Sequence, residues 1–342
     1  MAAPRVRMGI VGLGRMGRRH AENLARRVDG AELVAACSPL AEDTAWAREA
    51  LGVGATCAEL GELLAHPALD AVLLATPTAL HADQIVASLE AGKHVFCEKP
   101  LALDLADCRR VEAVAARHPA QIAMIGFVRR FDPSYRDAHA RIAAGRIGRP
   151  FLVRSQTGDQ LDPSGFFVRY AATSGGIFLD CSIHDIDLAR WLLGDPAPRR
   201  AFATGVVAVH EDLAPIGDVD NGVAVVEFAE GRLACFYASR TLAHGHDTHT
   251  EIIGTAGSLS VGANPRRNRV EISDAYGVRS ECVVDYYERF REAFLLEVQE
   301  FVDCVRAGAR PTLTLHDATE ATRIGLAVTA ARRSGQVVDI GE

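Results

Sequence analysis

Asp180 and His184 stand four residues apart in the run Gly175-Gly176-Ile177-Phe178-Leu179-Asp180-Cys181-Ser182-Ile183-His184. On a helix that spacing brings two side chains onto one face, a turn apart. A carboxylate beside an imidazole can hold the ring in one tautomer, which a proton-transfer group needs. The same spacing also occurs as an incidental pair on a capped surface helix. Two features upstream favour the chemical reading. Lys99 lies in Glu98-Lys99-Pro100 at the end of a short apolar run, an unusual place for a merely solvated lysine. Gly12-Leu13-Gly14-Arg15-Met16-Gly17 stands between a strand pattern and a helical pattern, the setting that a dinucleotide fingerprint requires. Its first glycine permits the tight turn, the second lets backbone approach a pyrophosphate, and the third lets helix pack on strand. The phosphates then lie on the helix N-terminus, where free N–H groups favour anions.

These residues need elements to position them. Strand patterns at 5–11, 32–37, 70–75, 94–97 and 121–126 alternate with helical patterns that follow the glycine motif and recur at 41–51, 57–64, 81–90 and 104–117. This alternation predicts a parallel α/β domain. The second strand ends in Cys37-Ser38-Pro39-Leu40, without the acid that usually bonds the adenosine ribose; Glu42 and Asp43 lie further into the next helix. Ser38 is therefore expected either to bond a ribose hydroxyl or to leave room for a 2′-phosphate. Arg15 is expected to stack on the adenine or pair with such a phosphate. No cluster of Lys or Arg follows Ser38, so NAD is expected over NADP. The run Thr76-Pro77-Thr78-Ala79-Leu80-His81 follows a strand rich in Val and Leu, where open α/β sheets bind ligands. The expected cofactor contacts are Gly12, Leu13, Gly14, Arg15, Met16, Ser38, Thr76, Pro77, His81, Glu98 and Lys99.

The 342 residues suffice for two domains, and 49% hydrophobic residues suffice for their cores. A net charge of −7 argues against nonspecific binding to nucleic acid or anionic membrane. The eight cysteines form no CxxC pair, and Cys97, Cys181 and Cys235 sit in apolar runs, as reduced buried thiols do. Without a signal-peptide pattern or an apolar run of membrane-spanning length, the expected location is cytoplasmic.

The motifs GLGRMG, ATPTALHA, CEKP, GFVRRFDPSY and GGIFLDCSIHDIDLARWLLG together resemble the Gfo/Idh/MocA oxidoreductases, and within them most closely the inositol 2-dehydrogenases acting on myo- or scyllo-inositol. The resemblance covers nearly the whole chain. It implies a Rossmann domain at 1–125 and, at 126–342, an α/β domain on a large, mostly antiparallel open sheet that makes subunit contacts in a homotetramer. The sequence independently offers strands at 151–156, 201–209, 222–228, 233–240, 250–253 and 258–261, and helices at 287–307 and 316–334. The resemblance implies three catalytic residues. His184, of a residue type with an ordinary pKa of about 6.5, would take the hydroxyl proton. Asp180 would orient and stabilise it. Lys99 would hydrogen-bond the reacting oxygen. NAD would accept the hydride, since no side chain does that chemistry.

Arg129 and Arg130 are candidates for substrate contact or a structural ion pair. By family spacing Thr157 and Asp159 fall where polar residues meet the polyol, and His246 replaces a substrate-contacting tyrosine. A carboxylate at Asp159 suits a neutral ring and would repel an acid. His244, His246 and Glu251, or His184 with Asp180 and Asp187, are alternative zinc-ligand sets that the alternating frame and the lysine disfavour, so no metal is expected. The other function classes to weigh are a pyranose dehydrogenase of the same superfamily and a dinucleotide-binding regulator without catalysis. Keeping Lys99, Asp180 and His184 together speaks against the regulator.

Overall fold

The computed structural model describes residues 4–341. Two compact units emerge, one of residues 1–128 and 292–320, the other of 129–291 and 321–342. The segment 292–320, read from sequence as part of the second domain, thus belongs to the first unit. In the first unit, β1 (Val6–Val11), α1 (Arg15–Arg26), β2 (Ala31–Cys37), α2 (Ala41–Leu51), β3 (Ala55–Cys57), α3 (Leu60–Leu64), β4 (Ala71–Leu74), α4 (His81–Glu90), β5 (His94–Glu98), α5 (Leu105–Arg117) and β6 (Ala123–Gly126) follow in turn. The strands pair in parallel in the order β3-β2-β1-β4-β5-β6. Residues such as Met8, Ile10, Val72, Leu73 and Phe96 are fully buried, which is why these strands read as continuous apolar runs. The order reverses between β1 and β4, the switch point beside which such sheets bind ligands. The helix read at 57–64 is instead the end of β3, a short turn, and α3.

The second unit contains α6 (Pro133–Ala143), β7 (Pro150–Gln160), α7 (Phe166–Ser174), α8 (Ile177–Asp180), α9 (Ile183–Leu193), β8 (Pro198–Val206), β9 (Asn221–Phe228), β10 (Arg232–Leu242), β11 (Asp247–Gly254), β12 (Gly257–Val261) and a small hairpin of β13 (Ile272–Asp274) and β14 (Gly277–Arg279). Two long helices, α10 (Tyr286–Ala307) and α11 (Leu315–Ser334), and a two-residue strand, β15 (Val338–Asp339), complete the chain. The large sheet runs β12-β11-β7-β10-β9-β8-β15. Its β7–β10 pair is parallel and the other pairs are antiparallel. Its two faces differ. One carries Val153, Ala203, Ala224, Val226, Ala234 and Phe236, all buried, with α9 packed on β7 and β10. The other presents Phe202, Val223, Leu233 and Tyr237, which cross-strand register places on one side and which remain 36–47% exposed.

Several elements carry start signals in the sequence. Asp132 caps α6 by accepting from the N–H groups of Ser134 and Tyr135, with Pro133 in the first turn. Gly175 and Gly176 both adopt positive φ, +85° and +87°, which sets the chain's entry into α8. Among the described residues no helix is long and apolar enough to cross a membrane.

Candidate active site

In the first unit the glycine motif has the geometry of a phosphate cradle. Gly12 has φ +85°, and a Cβ there would stand 2.6 Å from the Ala75 carbonyl oxygen. A Cβ on Gly17 would collide with the carbonyl of Gly12, so only glycine lets α1 approach β1 this closely. Gly14, by contrast, has nothing within 4 Å of an added Cβ. It is the N-cap of α1, has no side-chain cap, and the first turn carries no acid. The helix therefore opens on an accessible backbone without a capping side chain or an acid, which suits a pyrophosphate. Arg15 is exposed and Met16 half-buried at this opening, whereas the Leu13 side chain is in the core and leaves only its backbone to a ligand.

The end of β2 differs from expectation. The Ser38 hydroxyl is buried and donates to Asp43 Oδ2 at 2.8 Å, and Arg18 Nη2 donates to Asp43 Oδ1 at 2.9 Å. The acid that the sequence lacks at the end of β2 is thus returned there from the first turn of α2. Ser38 holds that carboxylate rather than facing a ribose itself.

Thr76 and Pro77 lie in the loop after β4, with Pro77 exposed and Thr76 Oγ1 donating to Gln84 Oε1 at 2.6 Å. His81 is not arranged as a cofactor contact. Its ring is buried between two carbonyl oxygens, Pro100 O at 2.7 Å from Nδ1 and Thr76 O at 2.9 Å from Nε2. Burial pushes its pKa down against the pull of those carbonyls. The residue is a strut between the loop after β4 and the loop after β5. Lys99 stands half-buried in the latter loop, before a cis bond to Pro100. Glu98, the last residue of β5, accepts from His20 Nε2 at 2.6 Å, an internal bond and not an outward-facing contact.

In the second unit, Asp180 and His184 do not lie on one continuous helix. Asp180 ends α8, Cys181 and Ser182 form a turn, and His184 is the second residue of α9. The Asp180 carboxylate receives Nη2 of Arg240, near the C-terminal end of β10. The Arg240 guanidinium also lies over the Phe167 ring, 3.3 Å from its centre. Burial works against its charge, but the neighbouring Cys181 and the carboxylates Asp180 and Asp159 outweigh burial and raise its pKa. Asp159, at the end of β7, is 3.0 Å from Nδ1 of His246, and the Cys181 thiol points at its other oxygen. Burial would raise the Asp159 pKa, yet the His246 hydrogen bond and the charges of His246 and Arg240 bring it below the usual range. Parallel pairing of β7 with β10 and the start of β11 at Gly158 gather these side chains at one end of the sheet.

Arg129 takes the structural ion pair that was the alternative to substrate contact, and Thr157, expected to meet substrate, is bonded to it and buried. Arg129 Nη1 donates to Asp185 Oδ1 and Nη2 to Thr157 Oγ1, both at 2.6 Å, while Thr157 donates to Asp185 Oδ2 at 2.6 Å. Ser155 adds a third bond to Asp185. Arg130 grips Asp187 with two nitrogens, at 2.8 and 2.6 Å. Both arginines therefore tie the loop after β6 to α9. The zinc-ligand alternatives are also otherwise engaged: Asp187 by Arg130, His246 by Asp159, and Glu251 by Arg154.

Residues 6–127 match the family described as "Oxidoreductase family, NAD-binding Rossmann fold", and residues 135–260 match the GFO/IDH/MocA C-terminal domain. Over 98% of its length the chain is 40% identical to scyllo-inositol 2-dehydrogenase (NAD(+)) of Bacillus subtilis, of which it covers 96%. It is 35% identical to the myo-inositol 2-dehydrogenase of Thermotoga maritima, covering 98% of this chain and 99% of that one. The crystal structure of scyllo-inositol dehydrogenase from Lactobacillus casei with bound NAD(H) and scyllo-inositol superposes with a TM-score of 0.95 at 36% identity, over 99% of this chain and 100% of that one.

Proposed function

This chain belongs to the GFO/IDH/MocA family of NAD-dependent oxidoreductases, and from that premise we propose that it oxidises a secondary ring hydroxyl of a cyclitol, myo- or scyllo-inositol, to the inosose. The observation that carries the substrate class is the cluster of Asp159–His246 and Asp180–Arg240, with Asp180 at the end of α8, one turn of chain before His184. Each carboxylate has a cationic or imidazole partner, so the cluster is rich in acceptors and nearly balanced in charge. Carboxylates with spare lone pairs accept from ring hydroxyls, and they repel an acid substrate. That pattern suits an uncharged polyol. The relatives named for scyllo- and myo-inositol support the same class.

The roles follow from the groups. His184 takes the hydroxyl proton as general base. Asp180 carries negative charge near the start of α9 and stabilises the imidazolium, with Arg240 holding it in place. Lys99 donates to the reacting oxygen and stabilises the charge that develops there. Bound NAD supplies the hydride acceptor. The Gly12–Gly17 cradle holds its pyrophosphate, and the Asp43 carboxylate at the end of β2 favours ribose hydroxyls over a 2′-phosphate.

The half-exposed face of Phe202, Val223, Leu233 and Tyr237 packs against second copies of the chain, giving the homotetramer. Its rim carries the opposite-charge pairs Arg200–Glu227 and Arg154–Glu251, as a self-complementary contact needs.

The deciding experiment is initial rate at alkaline pH, with NAD and with NADP, on myo-inositol, scyllo-inositol, D-glucose and L-glucose. A preference for an inositol with NAD is expected. Turnover of glucoses alone would move the protein to the pyranose dehydrogenases. Tight NAD binding with no turnover of any polyol would make it a regulator.

A further inference from the structure

Three titratable side chains that the proposed reaction does not use meet inside the first unit. His20 lies on α1, three residues beyond Gly17; Glu98 ends β5, immediately before Lys99; Glu297 comes from α10. One polar atom of each lies within 4.8 Å of the other two. His20 and Glu297 are completely buried. Among the described residues, neither oxygen of Glu297 has a hydrogen-bond partner, nor has Nδ1 of His20. The surroundings are apolar. Phe96 and Phe294 each present a ring to His20 at 5.9 Å, and the Gly126 backbone flanks Glu297, where an added Cβ would lie 3.4 Å from Oε2.

A shared metal ion does not account for this geometry. Two atoms that ligate one zinc at about 2.0–2.2 Å in a tetrahedron stand more than about 3 Å apart. His20 Nε2 and Glu98 Oε1 are 2.6 Å apart, the distance of a strong, charge-assisted hydrogen bond. The cluster is organised around protons. An ionised carboxylate without partners in an apolar interior is costly enough that it takes up a proton instead. Burial and the nearby Glu98 charge push Glu297 the same way, well above the ordinary carboxyl range. Burial would also raise Glu98, but the His20 hydrogen bond, with the charges of His20, Lys99 and His81, keeps it low. The environments thus separate two neighbouring carboxyl groups into an acid and a carboxylate.

We propose that Glu297 is a positioning residue for Lys99: as a neutral acid it turns its O–H toward the His20–Glu98 pair, and by holding Glu98 it fixes the backbone from which Lys99 projects. The assignment rests on the role given to Lys99 above. No proton leaves the cluster during turnover. The titratable groups that face Glu297 and Glu98 are His20 from α1, His81 from α4, and Lys99 from the loop after β5. Ionising Glu297 at high pH would set two carboxylates against each other, loosen Glu98, and lower kcat.

The test uses the full-length protein and the variants Glu297→Gln and Glu297→Leu. Infrared spectroscopy at mildly alkaline pH reads the carboxylic-acid C=O band, expected in the wild type and missing from Glu297→Gln. Glu297→Leu is expected to lose about tenfold or more in kcat, as small misplacements of catalytic groups do, with NAD affinity changed less than about twofold. Glu297→Gln keeps a donor that cannot ionise. It should retain more kcat than the leucine variant, and its alkaline limb should move to higher pH. Absence of the acid band, wild-type kcat in Glu297→Leu, or an unshifted alkaline limb in Glu297→Gln would each overturn the proposal. If the leucine variant does not fold, the band and the limb decide. The band reports on Glu297 alone, so it stands apart from Lys99→Met, which tests the lysine.

Discussion

The Asp180 carboxylate is gripped by the Arg240 guanidinium, which reaches it from β10, sixty residues further along the chain. Both are largely buried, so the pair forms one ionic unit next to the start of α9. Removing one partner leaves the other as an uncompensated buried charge. Arg240→Met is therefore expected to cost about 3–5 kcal/mol of stability, read by urea denaturation. Asp180→Asn in the Arg240→Met background should cost much less than the sum of the single changes, because the two groups act together. Additive losses would mean that the pair is not coupled.

Lys99 and His184 separate by their kinetic signatures. Lys99→Met is expected to abolish turnover while the NAD dissociation constant stays within about threefold, since the pyrophosphate cradle is backbone. His184→Ala is expected to lose about 10²- to 10⁴-fold in kcat, the usual contribution of a positioned base. In the wild type kcat/KM should rise with pH as the base loses its proton. A pH-independent wild-type rate would remove a histidine base from the mechanism.

The carboxylate at the end of β2 makes a prediction about cofactor choice. Asp43→Asn removes its charge but keeps its shape, and Ser38 and Arg18 remain beside it. The NADP/NAD ratio of kcat/KM should rise by about tenfold or more, one charge interaction of roughly 1.4 kcal/mol. An unchanged ratio would mean that Asp43 serves only the packing of α2.

The open face of the large sheet predicts assembly. Val223→Glu places a charge at the centre of that face, between Thr204 on β8 and Tyr237 on β10. Like charges meeting across a symmetric contact cost several kcal/mol, so analytical ultracentrifugation should show smaller species than for the wild type. A wild-type tetramer in this variant would place the contact elsewhere.

The dependence of stability on pH follows from which groups the fold keeps neutral. Burial lowers the folded-state pKa of His81, His94 and His139 below 6.5. Below that value the unfolded chain takes up protons that the folded chain refuses, so stability falls as pH drops from about 6.5 through their folded values. Glu297, raised, acts in the opposite sense: above its unfolded value it holds a proton that the unfolded chain has lost, and stability falls as pH rises toward its folded value. The lowered carboxylates Asp70, Asp159 and Glu98 give stability that is lost only at lower pH, through their folded values. Thermal melts should thus peak near neutral pH, with Glu297→Gln flattening the alkaline side and His81→Gln the acid side.

Much of the first unit was legible because its information is local. Buried parallel strands are short apolar runs, and Gly12 and Gly17 each meet a steric demand visible in their spacing. What the sequence hid depends on contacts distant along the chain or on where an element bends. Nothing between Asp180 and Ile183 is a helix breaker, so the turn that separates α8 from α9 leaves no local mark. Arg240 follows the buried Ser239, against the alternation expected of a strand, and only the approach of Asp180 explains why a charge is tolerated there. Asp43 looked too far along to serve the end of β2, because the sequence does not show that the first turn of α2 folds back over Ser38. Arg129 was legible as a substrate contact or an ion-pair residue, but not its partner, since Asp185 lies 56 residues away.

The His81 strut has a consequence for how the protein can change over generations. Because one ring spans the carbonyls of Thr76 and Pro100, the loop after β4 and the loop after β5 behave as a single inherited piece. An insertion in either would leave the imidazole short of its second carbonyl. Lineages that remodel one loop should therefore remodel the other or replace the histidine.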